Sequence, residues 1–196
     1  ISANSNLQTV NCSNNQLTTL NFSQNAKLEE VDCSGNQLTT LDVSAQKQLE
    51  TLRCMENHLI ALDVTGLSKL QHVEVIDNTR SIPFNAMGQV DLSVLADGFQ
   101  PSKVQPDMWQ NATCTENVLT VNDRSQEIRY EYQIDANDAS RTVSFTWIPT
   151  VMEEDAVAID TEHFPDDVLR SYVLQSLDKN GDGMLQISEQ KAVTQL

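Results

Sequence analysis

The chain has 196 residues, 39% hydrophobic and 20% charged, which places it among globular proteins with one large domain or two to three small ones and excludes disorder and collagen. Twelve Lys and Arg stand against 28 Asp and Glu, and a formal charge of -16 repels a phosphate backbone, so nucleic acid is not an expected partner. No run of about 18 apolar residues is present to span a membrane, and no charged-then-apolar leader opens the chain.

The first third of the chain repeats itself every 21 residues. Leu7, Leu28, Leu49 and Leu70 fall in register, followed by Val10, Val31, Leu52 and Val73, then Cys12, Cys33, Cys54 and Val75, then Asn15, Asn36, Asn57 and Asn78. Leu17, Leu38 and Leu59 come next, then Leu20, Leu41 and Leu62, and finally Phe22, Val43 and Val64. A fixed period of this length is the signature of a solenoid. The alternation in L-x-x-V-x-C predicts a short strand with its apolar side chains inside the coil, and the second apolar run predicts an extended far side. The recurring Asn is expected at a turn, where its amide bonds backbone groups that the bend leaves unpaired. Three equally spaced Cys read as stacked core thiols rather than a disulfide framework, while Cys114 has no assigned partner. Ile1 falls inside a repeat, so the natural polypeptide is expected to begin earlier.

This unit resembles a leucine-rich repeat, in particular the 21-residue bacterial kind found in the internalin-like and BspA-like class of cell-surface proteins, including those of gut anaerobes. The resemblance covers about residues 1–79. Two small departures are Cys in place of Leu in the strand and Asn21 where Asp42 and Asp63 stand in later units. The fourth unit loses its second apolar run after Asn78, and the solenoid is expected to end there.

Beyond Pro83 the sequence carries Val90-Asp91-Leu92 and then a loop-like stretch to about residue 116, followed by three candidate strands: Val118 to Val121, the alternating Ile128, Tyr130, Tyr132 and Ile134, and the alternating Val143, Phe145 and Trp147. Turns at Asp123 to Gln126 and Asp135 to Ser140 suggest one antiparallel meander that caps the broken end of the solenoid. The wording of residues 89–149 is similar to a β segment that follows such repeats in the same surface proteins, which implies capping or spacing and no chemistry. Asn111-Ala112-Thr113 matches a glycosylation sequon but reads as a solvated loop.

Residues 178–189 read D-K-N-G-D-G-M-L-Q-I-S-E. Calcium takes about seven oxygens, and this spacing supplies Asp178, Asn180 and Asp182, the Met184 carbonyl, a water near Gln186 and a bidentate Glu189, with Gly183 at the sharp turn. Pro165, Asp166 and Asp167 suit a helix start, and Phe164, Val168, Leu169, Tyr172, Val173 and Leu177 form an apolar stripe at helical spacing. A second helix is expected near Ser188. EF-hand loops usually brace each other in pairs, and with one copy here another element must hold it, which points to calcium as a structural ion. Residues 159–196 also resemble a calcium-loop cap of the same surface proteins, and that resemblance implies that the chain is a fragment of alternating repeats and caps.

No catalytic residues are predicted. His58, His72 and His163 do not cluster, no zinc spacing, phosphate loop or G-x-S-x-G is present, and the three repeat Cys face inward. Outward strand positions instead stack into two columns, Thr9, Glu30, Thr51, His72 and Asn11, Asp32, Arg53, Glu74, a rigid platform for a ligand.

The expected fold is therefore α+β and mainly β: a leucine-rich-repeat solenoid over 1–79, a β-rich cap over 80–150 and an EF-hand-like helix-loop-helix over 151–196. The expected function is a non-enzymatic extracellular or cell-surface binding or adhesion module, monomeric, for a protein or glycan ligand. The alternative is an architectural spacer that projects another domain.

Overall fold

The computed structural model describes residues 4–85, 87–95, 98–151, 157–158, 166–176 and 184–185. The chain divides into two compact units, residues 1–82 with 89–150, and residues 83–88 with 151–196. The predicted boundary at residue 80 thus separates two parts of a single compact unit.

The first part of unit 1 is a stack of coils. β1 (Thr9–Asn11), β2 (Glu30–Asp32), β3 (Thr51–Arg53) and β4 (His72–Glu74) form a four-stranded parallel sheet in sequence order. Each strand pairs with the next at an offset of one repeat, Val10 with Val31, Val31 with Leu52 and Leu52 with Val73. The middle residue of each three-residue strand points inward, as alternation requires. Leu28, Leu49, Val31, Leu52, Cys33, Cys54, Leu38, Leu59, Val43 and Val64 are all fully or almost fully buried. In the first coil Leu7, Cys12, Leu17 and Leu20 are half-buried.

The far side carries no helix among the described residues. No strand ladder forms there among the described residues; each coil instead closes through two successive turns, with Asn25 N donating to Phe22 O and Leu28 N to Asn25 O, and the same pattern through Val43, Gln46 and Leu49 and through Val64, Leu67 and Leu70. The side chain of Asn21, Asp42 or Asp63 accepts from the backbone N–H two residues on, at 2.9 Å in every coil, and so ends the extended run before a ladder can propagate.

A second regularity is absent from the apolar pattern. Asn14, Gly35, Glu56 and Asp77, one repeat apart, all adopt left-handed backbone with φ of 55°, 65°, 50° and 60°. Each directly precedes a ladder Asn. Asn, Gly and Asp tolerate this region, whereas Glu56 holds it at a steric cost. At Gly35 a β-carbon would stand 2.8 Å from Asn14 Oδ1 and 3.3 Å from Asn14 N, so a side chain there requires Asn14 to shift.

The rest of unit 1 is two antiparallel sheets rather than one meander. One has the order β5 (Thr79–Phe84), β11 (Thr142–Val151), β10 (Ile128–Gln133), β7 (Trp109–Gln110); the other has β6 (Gln89–Asp91), β9 (Val118–Val121), β8 (Ala112–Thr115). Val118 to Val121, expected beside the Tyr-rich strand, pairs instead with β6 and β8. The stretch read as a loop to residue 116 supplies β7, β8 and three 3-10 turns, at Leu92–Val94, Pro101–Lys103 and Pro106–Met108. These strands are too short and too interrupted by Pro to show periodicity.

The alternation in β10 and β11 does what it predicts. Ile128, Tyr130, Tyr132, Phe145 and Trp147 are buried, and the four aromatic ones join Phe99 and Trp109 in a cluster, with the Tyr130 ring centroid 4.8 Å from both Trp109 and Trp147. This cluster closes the end of the coil stack. Tyr130 Oη donates to Ile60 O at 2.6 Å, Val64 N to Ile134 O at 2.8 Å, Ala136 N to Thr65 Oγ1 at 2.9 Å and Thr146 N to Asn78 O at 3.1 Å. Lys103, with a side chain only 11% exposed, pairs with Asp63 at 3.0 Å and lies 5.9 Å from the Tyr132 ring centre.

In unit 2, β12 (Val157–Ala158) pairs antiparallel with β13 (Met184–Leu185), and α1 spans Asp167–Ser176. Asp166 caps the helix, its Oδ1 accepting from Leu169 N at 2.8 Å. Of the apolar stripe predicted on this helix, Val173 is buried, but Val168 (81% exposed), Leu169 and Tyr172 face solvent. Val168, Leu169 and Tyr172 span i to i+4 on one side, so periodicity located an apolar face without deciding whether anything covers it. Phe164, Pro165 and Leu177 lie outside the described residues.

Candidate ligand-binding face

The two predicted columns form as adjacent rows of the parallel sheet. Thr9, Glu30, Thr51 and His72 are register partners across its four strands, and so are Asn11, Asp32, Arg53 and Glu74. Thr9, Asn11, Glu30, His72 and Glu74 are exposed, and Asp32 and Arg53 are half-exposed. Thr51 is a correction: at 8% exposed it is buried, because its short side chain sits between the longer Glu30 and His72 in the same column. Its contribution to a ligand is limited to the floor of the face.

The second column is partly committed to the protein itself. Asn11 Oδ1 accepts from Ser13 N and Ser13 Oγ, and Asp32 Oδ1 accepts from Ser34 N at 3.1 Å, so both cap the bend after their strand. Arg53 Nε lies 3.4 Å from Glu74 Oε2, with both side chains more than a third exposed. Such a surface pair stabilises little and can be exchanged for a ligand's charge at small cost.

A third column was not singled out from the sequence. Gln8, Glu29, Glu50 and Gln71 lie directly before the strands, and Gln8 Nε2 donates to Glu29 Oε1 at 2.9 Å. The carbonyls of the first three receive two donors each: Gln8 O from Glu29 N and Glu30 N, Glu29 O from Glu50 N and Thr51 N, and Glu50 O from Gln71 N and His72 N. This shared acceptor locks the entry to β2, β3 and β4. The available signal was the 21-residue spacing of these polar positions, which a search for apolar columns passes over.

Behind the face, backbone order is set by the asparagine ladder. Asn36 Nδ2 donates to Cys12 O and Cys33 O and Asn36 Oδ1 accepts from Leu17 N; Asn57 and Asn78 repeat the arrangement one and two coils on. Asn36, Asn57 and Asn78 are buried, whereas Asn15, in the first coil, is exposed and bonds only its own turn. The thiols stack inward beside this ladder, Cys12 Sγ reaching Asp32 O at 3.5 Å and Cys33 Sγ reaching Arg53 O at 3.4 Å. Burial pushes the Cys33 thiol up to about 12 and Cys54 well above the ordinary range, so both stay protonated and unreactive. On the far side, Asp42 is held below the usual carboxylate range by hydrogen bonds from Ser44. Burial raises Asp63, but hydrogen bonds from Thr65 and Lys103 outweigh it and leave it lowered.

His58 is exposed, with Nδ1 2.8 Å from Thr79 O, and His72 is exposed on the sheet; His163 lies outside the described residues. Asn111 is not the simple solvated loop residue expected: at φ 64° its Nδ2 donates to Asp123 O and Gln126 O, and its Oδ1 accepts from Asp123 N. Its amide is thus engaged in holding a turn. Of the predicted calcium ligands, Asp178, Asn180, Asp182, Gln186 and Glu189 lie outside the described residues, and Met184 begins β13.

Residues 5–45 match the family model for leucine-rich repeats in two copies. Among solved structures the chain is similar to the functional domain of InlJ from Listeria monocytogenes, described as including a cysteine ladder, with 20% identity and a TM-score of 0.49 over 76% of this chain. The chain spans about a third of that domain's length, 35%. No curated protein sequence matches the chain. Beyond the residues matched by the leucine-rich-repeat model, the same strand register and asparagine ladder run on unbroken to Asn78.

Proposed function

We propose that the chain is a non-enzymatic, extracellular protein- or glycan-binding module of a bacterial surface protein, with calcium as a structural ion. The observation that carries this reading is the sheet face. Its polar side chains stand in register on strands whose backbone is ordered in advance, so a ligand meets them at little conformational cost. Exposed Glu30, half-exposed Asp32 and an exchangeable Arg53–Glu74 pair suit a ligand that brings both charge and hydrogen-bond donors.

The test is a binding survey of the chain, immobilised, against host matrix proteins and glycans, followed by Glu30→Arg and Glu74→Arg. A specific ligand whose affinity falls at least about tenfold in these variants supports the reading. A ligand indifferent to both substitutions, or no ligand at all, refutes it.

The structural ion rests on Asp178, Asn180, Asp182, the Met184 carbonyl, Gln186 and Glu189, a ligand spacing that suits a hard cation. Two features of unit 2 are compatible with it: α1 runs to Ser176, just before the loop, and Met184 lies in an extended, paired segment. Calcium should raise the melting temperature, and Asp178→Ala or Glu189→Ala should remove that gain. An unchanged melting curve at saturating calcium sinks this part of the proposal.

A second reading, an architectural spacer, is favoured by one observation. Asn11, Asp32, Arg53 and Glu74 spend part of their bonding capacity within the protein. In that case the face stabilises the coil stack and the survey returns nothing.

A further inference from the structure

The paired segment of unit 2 falls at a telling place in the sequence. β13, Met184–Leu185, occupies the seventh and eighth positions of the loop D-K-N-G-D-G-M-L-Q-I-S-E, and its partner is β12, with Val157 opposite Leu185 and Ala158 opposite Met184. The seventh position of such a loop offers its backbone carbonyl, not its side chain, to the ion. The direction of that carbonyl is set by backbone torsions alone, and a strand of two residues does not hold its torsions unaided. The chain contains one such loop, and its partner strand comes from a segment that carries no calcium motif.

We infer that Val157–Ala158 is the brace of the calcium loop: it holds Met184 and Leu185 extended, so the single loop binds its ion without a second loop from this chain or from another copy. The inference rests on the calcium reading above. A braced loop has lost part of its backbone freedom before the ion arrives, so binding costs less ordering. The calcium affinity of the loop therefore depends on two residues that supply no ligand.

The experiment is calorimetric titration of calcium into the full chain, with Val157→Pro, Ala158→Pro and Ala158→Val. Proline removes a backbone N–H and cannot continue a paired strand, whereas valine keeps both. The unmodified chain and Ala158→Val should bind one ion with similar affinity, and at least one proline variant should bind about tenfold more weakly, the scale of one or two lost ladder hydrogen bonds. Trp109 and Trp147 both lie in unit 1, so an unchanged tryptophan-monitored denaturation shows that the remainder of each variant is folded. Amide exchange of the unmodified chain supplies a readout without substitution: calcium should slow exchange in Val157–Ala158 together with Met184–Leu185.

If both proline variants bind as tightly as the unmodified chain, or calcium leaves exchange at residues 157–158 unchanged, the brace is refuted while the calcium site stands. If sedimentation shows that calcium dimerises the chain, a second copy supplies the brace and the inference fails. If the unmodified chain binds no calcium, the underlying reading falls first and the inference with it.

Discussion

Replacing Asn57 by Ala should be among the most damaging single changes in the coil stack, and the structure says by how much. Asn57 is 2% exposed; its Nδ2 donates to Cys33 O at 3.1 Å, Met55 O at 3.0 Å and Cys54 O at 3.4 Å, and its Oδ1 accepts from Leu38 N at 3.0 Å. Alanine leaves the buried Leu38 N–H without an acceptor, at about 1–3 kcal/mol, and weakens three carbonyls that each have a second lone pair, at roughly 1 kcal/mol or less apiece. The sum is about 1–6 kcal/mol, which for a chain of this size lowers Tm by roughly 2–24 °C. Asn15→Ala is the matched control, because Asn15 occupies the same repeat position but is exposed and bonds only Cys12 O and Ser13 O. It should cost less than about 1 kcal/mol. The assay is urea denaturation followed by the fluorescence of Trp109 and Trp147, both buried in the same unit. Asn57→Asp adds a pH signature, since it keeps the acceptor but turns a second oxygen toward three carbonyls. Its carboxyl pKa is then raised in the folded state, so the variant is most stable at low pH and loses stability as pH rises through that raised pKa. If Asn57→Ala proves no more costly than Asn15→Ala, the ladder contributes no more inside the stack than at its edge and the reasoning is wrong.

Thiol labelling should find Cys33 and Cys54 inert in the folded chain and Cys12 and Cys114, both half-buried, slowly reactive; fast labelling of all four without denaturant contradicts the inward stack. The Cys33 thiol, raised to about 12, keeps its proton where an unfolded thiol loses it, so stability should be level below about pH 8.5 and fall as pH rises toward 12; a Cys33→Ala variant should show a shallower fall. Tyr130→Phe removes the bond to Ile60 O that ties the cap to the third coil and should cost about 1–2 kcal/mol by the same urea assay, with a neutral result refuting the tie. Glu56→Gly should stabilise the chain by up to about 1 kcal/mol, because glycine accepts the left-handed backbone that Glu56 now holds at φ 50°; destabilisation would show that the Glu56 side chain matters more than its backbone.

The sequence by itself determined the coil stack. A 21-residue period in Leu, Val, Cys and Asn dictates which residues face inward and which strands are neighbours, because every coil must bury the same face against the next. The columns of the candidate face follow from that period, whereas the loop proposed to hold calcium is read separately, from the ligand spacing of residues 178–189. Tertiary structure alone decided what happens between those regularities. Thr51 reads as outward but is buried, since the length of its neighbours, not its own parity, controls its exposure. Val118 to Val121 reads as one strand of a meander but joins a different sheet, because strand pairing is a choice among long-range partners that alternation cannot rank. The stripe on α1 reads as an apolar face at helical spacing, and Val168 and Tyr172 on it lie in solvent, since periodicity describes one surface and burial requires a second. Left-handed turns at Asn14, Gly35, Glu56 and Asp77 share a conformation without sharing a residue type, which a search for recurring letters cannot find and a stack of identical backbones imposes.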